Sequence, residues 1–374
     1  MKKRVEILFA EHQWPFTSSR VTAALLQLES PLPNAKHISV SGSRETFAWR
    51  DLADMDARIS RALQLIRSVK KLHPDLSLCV LPEYSLPVER AFLQLQRVSE
   101  ETNTVIISGS DNIQQLGGQI YVQSYVAQPG VTTPVIVTKA TLSKWEEGYV
   151  DIPPVVTNPL FTWSSGDSRC WLAIFLGVDL LLASRALENV PYAAPGIIVT
   201  PMCSQDNDTF RVYADTLLRN SYGVTVLLVN SVGEACGHSA AHVASGAGRT
   251  LLPAVELPGA GEGVAVIELR CEAALKESDV QEEISKQFAY TIRSIGDAVS
   301  LSVINDNSRE HQRAVLNPAL FDLSGKKLRL AFLAIEEFAK VADSVRNADF
   351  EVLAILGQHD LAVTHLDEDS YNLL

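Results

Sequence analysis

The constraint that most limits what this chain can fold into is an alternation. Short runs rich in valine and isoleucine, bounded by Gly, Pro, Asn or Asp, are interspersed with segments of helical period. "SLCVLP" (77–82), "NTVIISGS" (103–110), "YVQSYVAQ" (121–128), "TPVIVTKA" (133–140), "WLAIFLGV" (171–178), "APGIIVTP" (194–201), "GVTVLLVN" (223–230) and "GVAVIELR" (263–270) read as strands. "MDARISRALQLIRSVKKL" (55–72) reads as a helix with Ile59, Ala62, Leu63, Ile66 and Val69 on one face. "DTFRVYADTLLRNSY" (208–222) reads as a second, with Asp208 as its N-cap. Strands and helices mixed at this spacing predict a layered α/β fold.

A length of 374 residues suits one large domain plus an appendage, and 47% hydrophobic with 20% charged residues fits a soluble protein with a sizeable core. The net charge of -12 argues against nucleic acid or an anionic membrane as the main partner, because both reward clustered Lys and Arg. The longest apolar run, 171–182, is broken by Asp179 and is too short to span a bilayer. The N-terminus starts basic but reaches Glu6, Glu11 and His12 before any long apolar run, so it makes a poor signal peptide. Five widely spaced cysteines without a C-x-x-C suggest reduced thiols and a cytoplasmic protein, with neither a disulfide framework nor a zinc site. There is no G-x-G-x-x-G or Walker-type loop, and the eight histidines show no ligand spacing, so no cofactor or metal is expected. His238 and His242 are four apart, but in a Gly- and Ala-rich hairpin.

The character changes near Cys271. "EAALKESDVQEEISKQFAYTIRSIGDAV" is charged and helical in pattern, which divides the chain into a main domain (1–275), a helical linker (276–325) and a small extension (326–374). The extension reads as strand, helix, strand, turn, strand. Leu328, Leu330 and Phe332 alternate in its first strand, and Phe338, Val341, Ala342 and Val345 form the helix stripe. Such a β-α-β-β unit is half of a ferredoxin-like fold and too small to bury its own sheet face, so it should pack on the main domain or on another chain.

Candidate chemistry lies at strand ends, where α/β folds place their active sites. Glu83 in "VLPEYS" follows a buried strand and a proline, and a partly desolvated carboxylate there can act as a general base. In "VTKATLSKWEEGY", Lys139 ends a strand and Glu146 and Glu147 follow. A lysine in such a pocket can hold a developing oxyanion. Lys144 is the rival, further from the apolar run. Taken singly, each of these is more often a solvated loop charge.

Together, in this order, they resemble the nitrilase or carbon–nitrogen hydrolase superfamily. "LPEYS" is similar to that family's glutamate motif and "KATL" followed by "EEGY" to its lysine motif, while "IFLGVDLLLASRALE" is similar to its cysteine motif. "PGIIVTPMCS", "FRVYADTLLRNSYGVTVLLVNSVG" and "CGHSAAHVASGAGRTLL" resemble later family segments, so the likeness runs over roughly 20–270. The resemblance implies a four-layer α-β-β-α sandwich and hydrolysis of a small amide, nitrile or carbamoyl compound by a Glu–Lys–Cys triad. It makes Glu83 the base, Lys139 the oxyanion-holding lysine and Glu147 an auxiliary glutamate. Asp179 and Cys203 become pocket residues. A homo-oligomer is implied as well. "FEVLAILGQHDLAVTHL" in the extension weakly resembles the effector domain of leucine-responsive-type regulators, which would make 326–374 a surface for a protein partner.

The departure is Gly177, which takes the place of the nucleophilic cysteine. Without a side-chain nucleophile the triad cannot run acyl transfer. Three accounts stand open. The thiol has been removed by engineering, leaving an inactive hydrolase; the chain is a natural pseudoenzyme that binds a ligand or organises an assembly; or Cys203 stands in. Cys170, seven residues upstream on the same strand, is over about 20 Å away and does not compete.

Overall fold

The computed structural model describes residues 5–306 apart from 19, 31–36, 41–43, 48, 50, 145, 166–167, 189, 191–195, 221–223, 234, 244–253, 271–286 and 296–297, together with three strands further on. Two sheets carry the fold. The first has seven strands, in the order Ile7–Gln13, Val156–Ser165, Ser168–Ile174, Gly196–Met202, Val224–Asn230, Ala240–Val243 and Val255–Glu256. The path of the second runs Val135–Thr138, Ile120–Ala127, Val105–Ile107, Leu76–Val80, Arg20–Gln27, Gly263–Arg270, Gln287–Ile295 and Ala298–Asp306, with Asp111–Gln114 beside Ile120–Ala127. The centre of each sheet is parallel: Leu76–Val80 pairs with Arg20–Gln27 and Val105–Ile107, and Gly196–Met202 with Ser168–Ile174 and Val224–Asn230.

The side chains sort into layers by the two-residue period of a strand. In Arg20–Gln27, Val21, Ala23 and Leu25 join Leu78, Val80, Phe161, Leu172, Ile174, Val199 and Leu227 in a core between the sheets. The intervening Ala24 and Leu26 face outward with Cys79 and Ile106, under the helices Leu52–Leu72 and Val88–Thr102. Both faces of these strands are covered, so their sequences are continuously apolar instead of alternating. On the far side the helix Asn207–Asn220 sets Phe210, Ala214 and Leu217 against Ile198 and Leu228 of the seven-stranded sheet. The result is four layers, α-β-β-α. Leu65, Ile66 and Val69 are fully buried, and burial of each is worth about 1.5–3 kcal/mol.

The expected helices are present, with one correction to a cap. The second begins at Asn207, and Asp206, not Asp208, caps it: Thr209 N donates to Asp206 Oδ1 at 3.1 Å. Asp208 lies in the first turn, where a carboxylate complements the helix dipole.

A larger difference concerns the expected helical linker 276–325. Gln287–Ile295 and Ala298–Asp306 are strands that extend the nine-stranded sheet, the former antiparallel to Gly263–Arg270. "QFAYTIRSI" alternates: Phe288, Tyr290 and Ile292 pack on the helix side and Ala289 on the inter-sheet side. The ladder and two buried faces override the helical propensity of the charged run before it. By internal contacts the chain divides into Met1–Asn305 and Asp306–Leu374.

In the second unit Leu328–Phe332 pairs in parallel with Glu351–Ile355, which pairs antiparallel with Thr364–Leu366. The parallel pair requires a crossover connection. The expected helix with Phe338, Val341, Ala342 and Val345 lies outside the described residues. Among the described residues, no helix is long and apolar enough to cross a membrane.

Candidate active site

Glu83, Lys139, Gly177 and Cys203 all lie just beyond carboxyl ends of strands, the first two from the nine-stranded sheet and the others from the seven-stranded one. The site therefore lies where those ends of the two sheets meet. Its glutamate turn is tightly built. The chain leaves Leu76–Val80 through Leu81 and Pro82, and Gly109 packs so closely that a Cβ there would lie 2.0 Å from Pro82 O. Only glycine permits that approach, at φ +74°. Tyr84 N then donates to Ser110 O at 2.7 Å, and Tyr84 takes φ +57°, a left-handed conformation costly for an aromatic residue. Glu83 is 2% exposed. Its Oε1 accepts from Ser110 Oγ at 3.1 Å and from Lys139 Nζ at 2.9 Å.

Lys139 follows Val135–Thr138 and is as deeply buried as Glu83. Its ammonium also donates to Glu146 Oε1 at 2.7 Å. The carboxylate beside Lys139 is thus Glu146; Glu147, to which the resemblance gave that place, is exposed, as is Lys144. The choice between neighbours is made by Ser143, whose N and Oγ each donate to Glu146 Oε2 at 2.7 Å. These contacts close the turn that begins at Ser143 and bring the carboxylate of its fourth residue, not its fifth, to the lysine. The Tyr84 hydroxyl, donating to Glu146 Oε1 at 2.7 Å, completes the carboxylate's shell.

Gly177 begins the short 3-10 helix Gly177–Leu182 and has φ +50°. A Cβ built on it would lie 2.7 Å from Glu83 Oε2 and 3.0 Å from Lys139 Nζ. The side-chain direction of residue 177 therefore points between Glu83 and Lys139, in close contact with both. Asp179 is fully buried, and its Oδ2 accepts from Ala140 N at 2.7 Å. It ties this elbow to the loop carrying Lys139. Cys203 meets the site through its main chain, its N donating to Glu83 Oε2 at 3.1 Å. Burial pushes its thiol up to about 11, so the thiolate is scarce near neutrality. Cys170 pairs with Trp163 inside the sheet and is buried.

Three partners carried no site role in the sequence reading: Ser110, Tyr84 and Asn230. Asn230 is wholly buried at the end of Val224–Asn230. Its Oδ1 accepts from Ser204 N at 2.9 Å, and its Nδ2 donates to Ser204 O at 2.9 Å and Gly237 O at 2.8 Å. It fixes the loop that presents the Cys203 N–H.

The charges divide the labour. Burial raises Glu83 above the usual carboxylate range, against the pull of Lys139 and Ser110. Burial also acts on Glu146, but Lys139, Ser143 and Tyr84 outweigh it and hold that carboxyl below its ordinary value. For Lys139 burial is outweighed by Glu146 and Glu83, so it stays cationic. Lys139 and Glu146 form the standing ion pair, and Glu83 is the group suited to exchange a proton near Gly177. An ammonium has three donors. Two are committed to the glutamates, leaving one for an oxygen beside Gly177. Close by, Tyr84, Ile120, Val122 and Val150 form an apolar cluster with Leu142 and Cys203 packed against it. Among the described residues, no cluster of His, Cys, Asp and Glu is placed to hold a metal ion.

No protein-family profile matches the sequence, and a comparison with curated proteins finds no match. Similar solved structures are nitrilase-superfamily members. Saccharomyces cerevisiae Nit3, from branch 10 of that superfamily, is 17% identical with a TM-score of 0.48, covering 72% of this chain and 97% of its own. An amidase from Nesterenkonia sp. is 16% identical with a TM-score of 0.46, covering 70% and 95%. A carbon–nitrogen hydrolase from Helicobacter pylori is 14% identical with a TM-score of 0.46, covering 71% and 91%.

Proposed function

We propose that this chain is a nitrilase-type carbon–nitrogen hydrolase scaffold. It binds a small amide or nitrile between Glu83, Lys139 and Gly177, and it cannot form the acyl intermediate that a cysteine at 177 would carry. The observation that carries the reading is the direction of the missing side chain. It points between Glu83 Oε2 and Lys139 Nζ, at 2.7 and 3.0 Å from its first atom. A base and an oxyanion donor converging on one backbone position are what an activated nucleophile requires.

The test is to supply the thiol. Gly177→Cys should be acylated by short amides or labelled by acrylamide at residue 177, faster than any cysteine of the parent protein. Glu83→Gln in that background should slow labelling by about 10²-fold or more. Labelling of Gly177→Cys no faster than that of a surface thiol, and indifferent to Glu83, would sink the reading.

A second reading, a natural ligand-binding or assembly subunit, is supported by the separate unit Asp306–Leu374 and its own three-stranded sheet. Under it the protein is a homo-oligomer, and removing 326–374 lowers the number of chains per particle in light scattering. An unchanged number removes this support. A cytoplasmic location belongs to either reading.

A further inference from the structure

We infer that Glu256 and His238 are positioning residues that latch the 236–239 loop in a strained form and so keep the Cys203 N–H on Glu83. The inference rests on the proposed function only in taking Glu83 for the working base. The latch itself lies outside the pocket.

The mark of strain is His238, which takes φ +59° directly after Gly237 at φ +64°. A glycine enters the left-handed region freely, whereas a residue with a side chain does so at a cost and needs surroundings that impose it. The two successive left-handed residues aim two carbonyls in turn. Gly237 O accepts from Asn230 Nδ2 at 2.8 Å, and His238 O accepts from Asn207 Nδ2 at 3.3 Å. Cys236 N donates to Ser204 O at 3.1 Å and Gly237 N to Ser231 O at 2.9 Å. The loop is thus tied to Ser204 and Asn207, which follow Cys203 in the chain, and to Asn230, which also holds Ser204.

The His238 ring imposes the conformation. Its Nδ1 lies 2.9 Å from Glu256 Oε1, and the Glu256 side chain is 4% exposed. Glu256 is itself held by Arg211 from the helix Asn207–Asn220. Gly259 leaves room for the imidazole, since a Cβ there would strike its Nε2. A buried carboxyl group fixed by an arginine is a firm anchor. A ring pinned to that anchor keeps the main chain from returning to negative φ.

From Glu256 the path runs through the His238 ring, the 236–239 main chain and Ser204 to the Cys203 N–H, which donates to Glu83 Oε2 at 3.1 Å. Losing a donor to the charged form of a carboxyl favours its neutral form. Releasing the latch therefore changes the pH at which Glu83 takes up its proton.

The experiment uses the full chain and reads main-chain hydrogen exchange at 203–206 and 236–239, with 197–200 in the sheet as reference. His238→Ala keeps a Cβ at left-handed φ and loses the pinned ring, whereas His238→Gly loses both. Exchange at both loops should rise about tenfold in His238→Ala, equivalent to about 1.4 kcal/mol, and stay within about twofold of the parent in His238→Gly. Glu256→Ala should behave as His238→Ala does, and adding His238→Gly to it should restore the parent pattern. In the opened variants the Glu83 carboxyl, followed by NMR, should take up its proton at higher pH. If Glu256→Ala does not fold, the two His238 variants decide alone. Equal opening in His238→Ala and His238→Gly shows that strain is not what the ring holds, and overturns the latch. A rise confined to 236–239, or a Glu83 titration equal to the parent's in the opened variants, overturns its reach to the site. A rise that includes 197–200 marks general destabilisation and overturns it too. None of these readings involves residue 177, so labelling of Gly177→Cys tests the proposed function separately.

Discussion

Lys139 Nζ lies 2.7 Å from Glu146 Oε1, closer than its 2.9 Å contact with Glu83, and the two side chains of the nearer pair are 2% and 1% exposed. The lysine thus has a permanent partner that is not the proton carrier. Removing one member of a buried pair leaves an uncompensated charge, which typically costs about 3–5 kcal/mol. Glu146→Ala should lose stability on that scale in urea unfolding, while Glu147→Ala, at an exposed position, should stay within about 0.5 kcal/mol of the parent. Equal losses for the two would contradict the assignment of Glu146.

Two buried aspartates give stability a pH dependence of predictable sign. Burial raises Asp111 and Asp179 from 3.8 to about 7 in the folded protein. Between about pH 4 and 7 the folded state holds these protons and the unfolded chain does not. Stability from each group is therefore fully present below about 4 and is lost as the pH rises toward 7, by up to about 1.4 kcal/mol per pH unit. Glu146, held below its ordinary value, acts oppositely, and its contribution is lost only at more acid pH. Asp179→Asn keeps an oxygen for Ala140 N but cannot ionise. Its unfolding free energy should fall less steeply over this window, and a slope equal to the parent's would refute the account.

The two glycines of the site differ in what a methyl group would strike. At Gly109 it meets the main-chain oxygen of Pro82 at 2.0 Å, which cannot move without distorting the glutamate turn. At Gly177 it meets the far ends of Glu83 and Lys139, which can swing aside, so the cost is mainly the strain of φ +50°, about 1–3 kcal/mol. Gly109→Ala should therefore lower the thermal midpoint more than Gly177→Ala. The reverse order would show that the dyad is held more rigidly than the backbone.

Several of these residues were visible in the sequence, and the failures have specific causes. Glu83 and Lys139 stand out because each follows an apolar run, and a strand end is a local property, whereas the place of Gly177 comes from the resemblance of its segment to the hydrolase family's cysteine motif. Glu146 and Glu147 are not separable in the sequence, because which of them meets Lys139 depends on the contacts of Ser143 in the folded turn. Tyr84 and Ser110 gave no signal, since their roles come from a left-handed turn and a cross-strand approach. Residues 287–306 were misread as helical because the acidic run before them dominated the pattern, although Phe288, Tyr290 and Ile292 alternate. The N-terminal strand Ile7–Gln13 was missed too. It is an edge strand, half-exposed, with one long-range partner, Val156–Ser165.

The longest reach in the site belongs to Asn230, which touches neither Glu83 nor Lys139. Its amide holds Ser204 at both main-chain groups and Gly237 at its carbonyl, and Cys203, one residue before Ser204, donates its N–H to Glu83 Oε2. Asn230→Asp keeps the acceptor for Ser204 N but loses the bonds donated to Ser204 O, Gly237 O and Cys236 Sγ and sets a carboxylate against two carbonyl oxygens. Unmade buried bonds of this kind cost about 1–3 kcal/mol. Part of that loss should appear locally as opening of the 203–204 loop. Alkylation of Cys203 by iodoacetamide should then accelerate, about tenfold for each 1.4 kcal/mol lost locally, while buried Cys79 stays protected. If Cys203 and Cys79 accelerate together, the loss is global and Asn230 serves the core. If Cys203 alone accelerates and the pH at which Glu83 takes up its proton shifts upward, Asn230 sets the basicity of Glu83 through the Cys203 N–H.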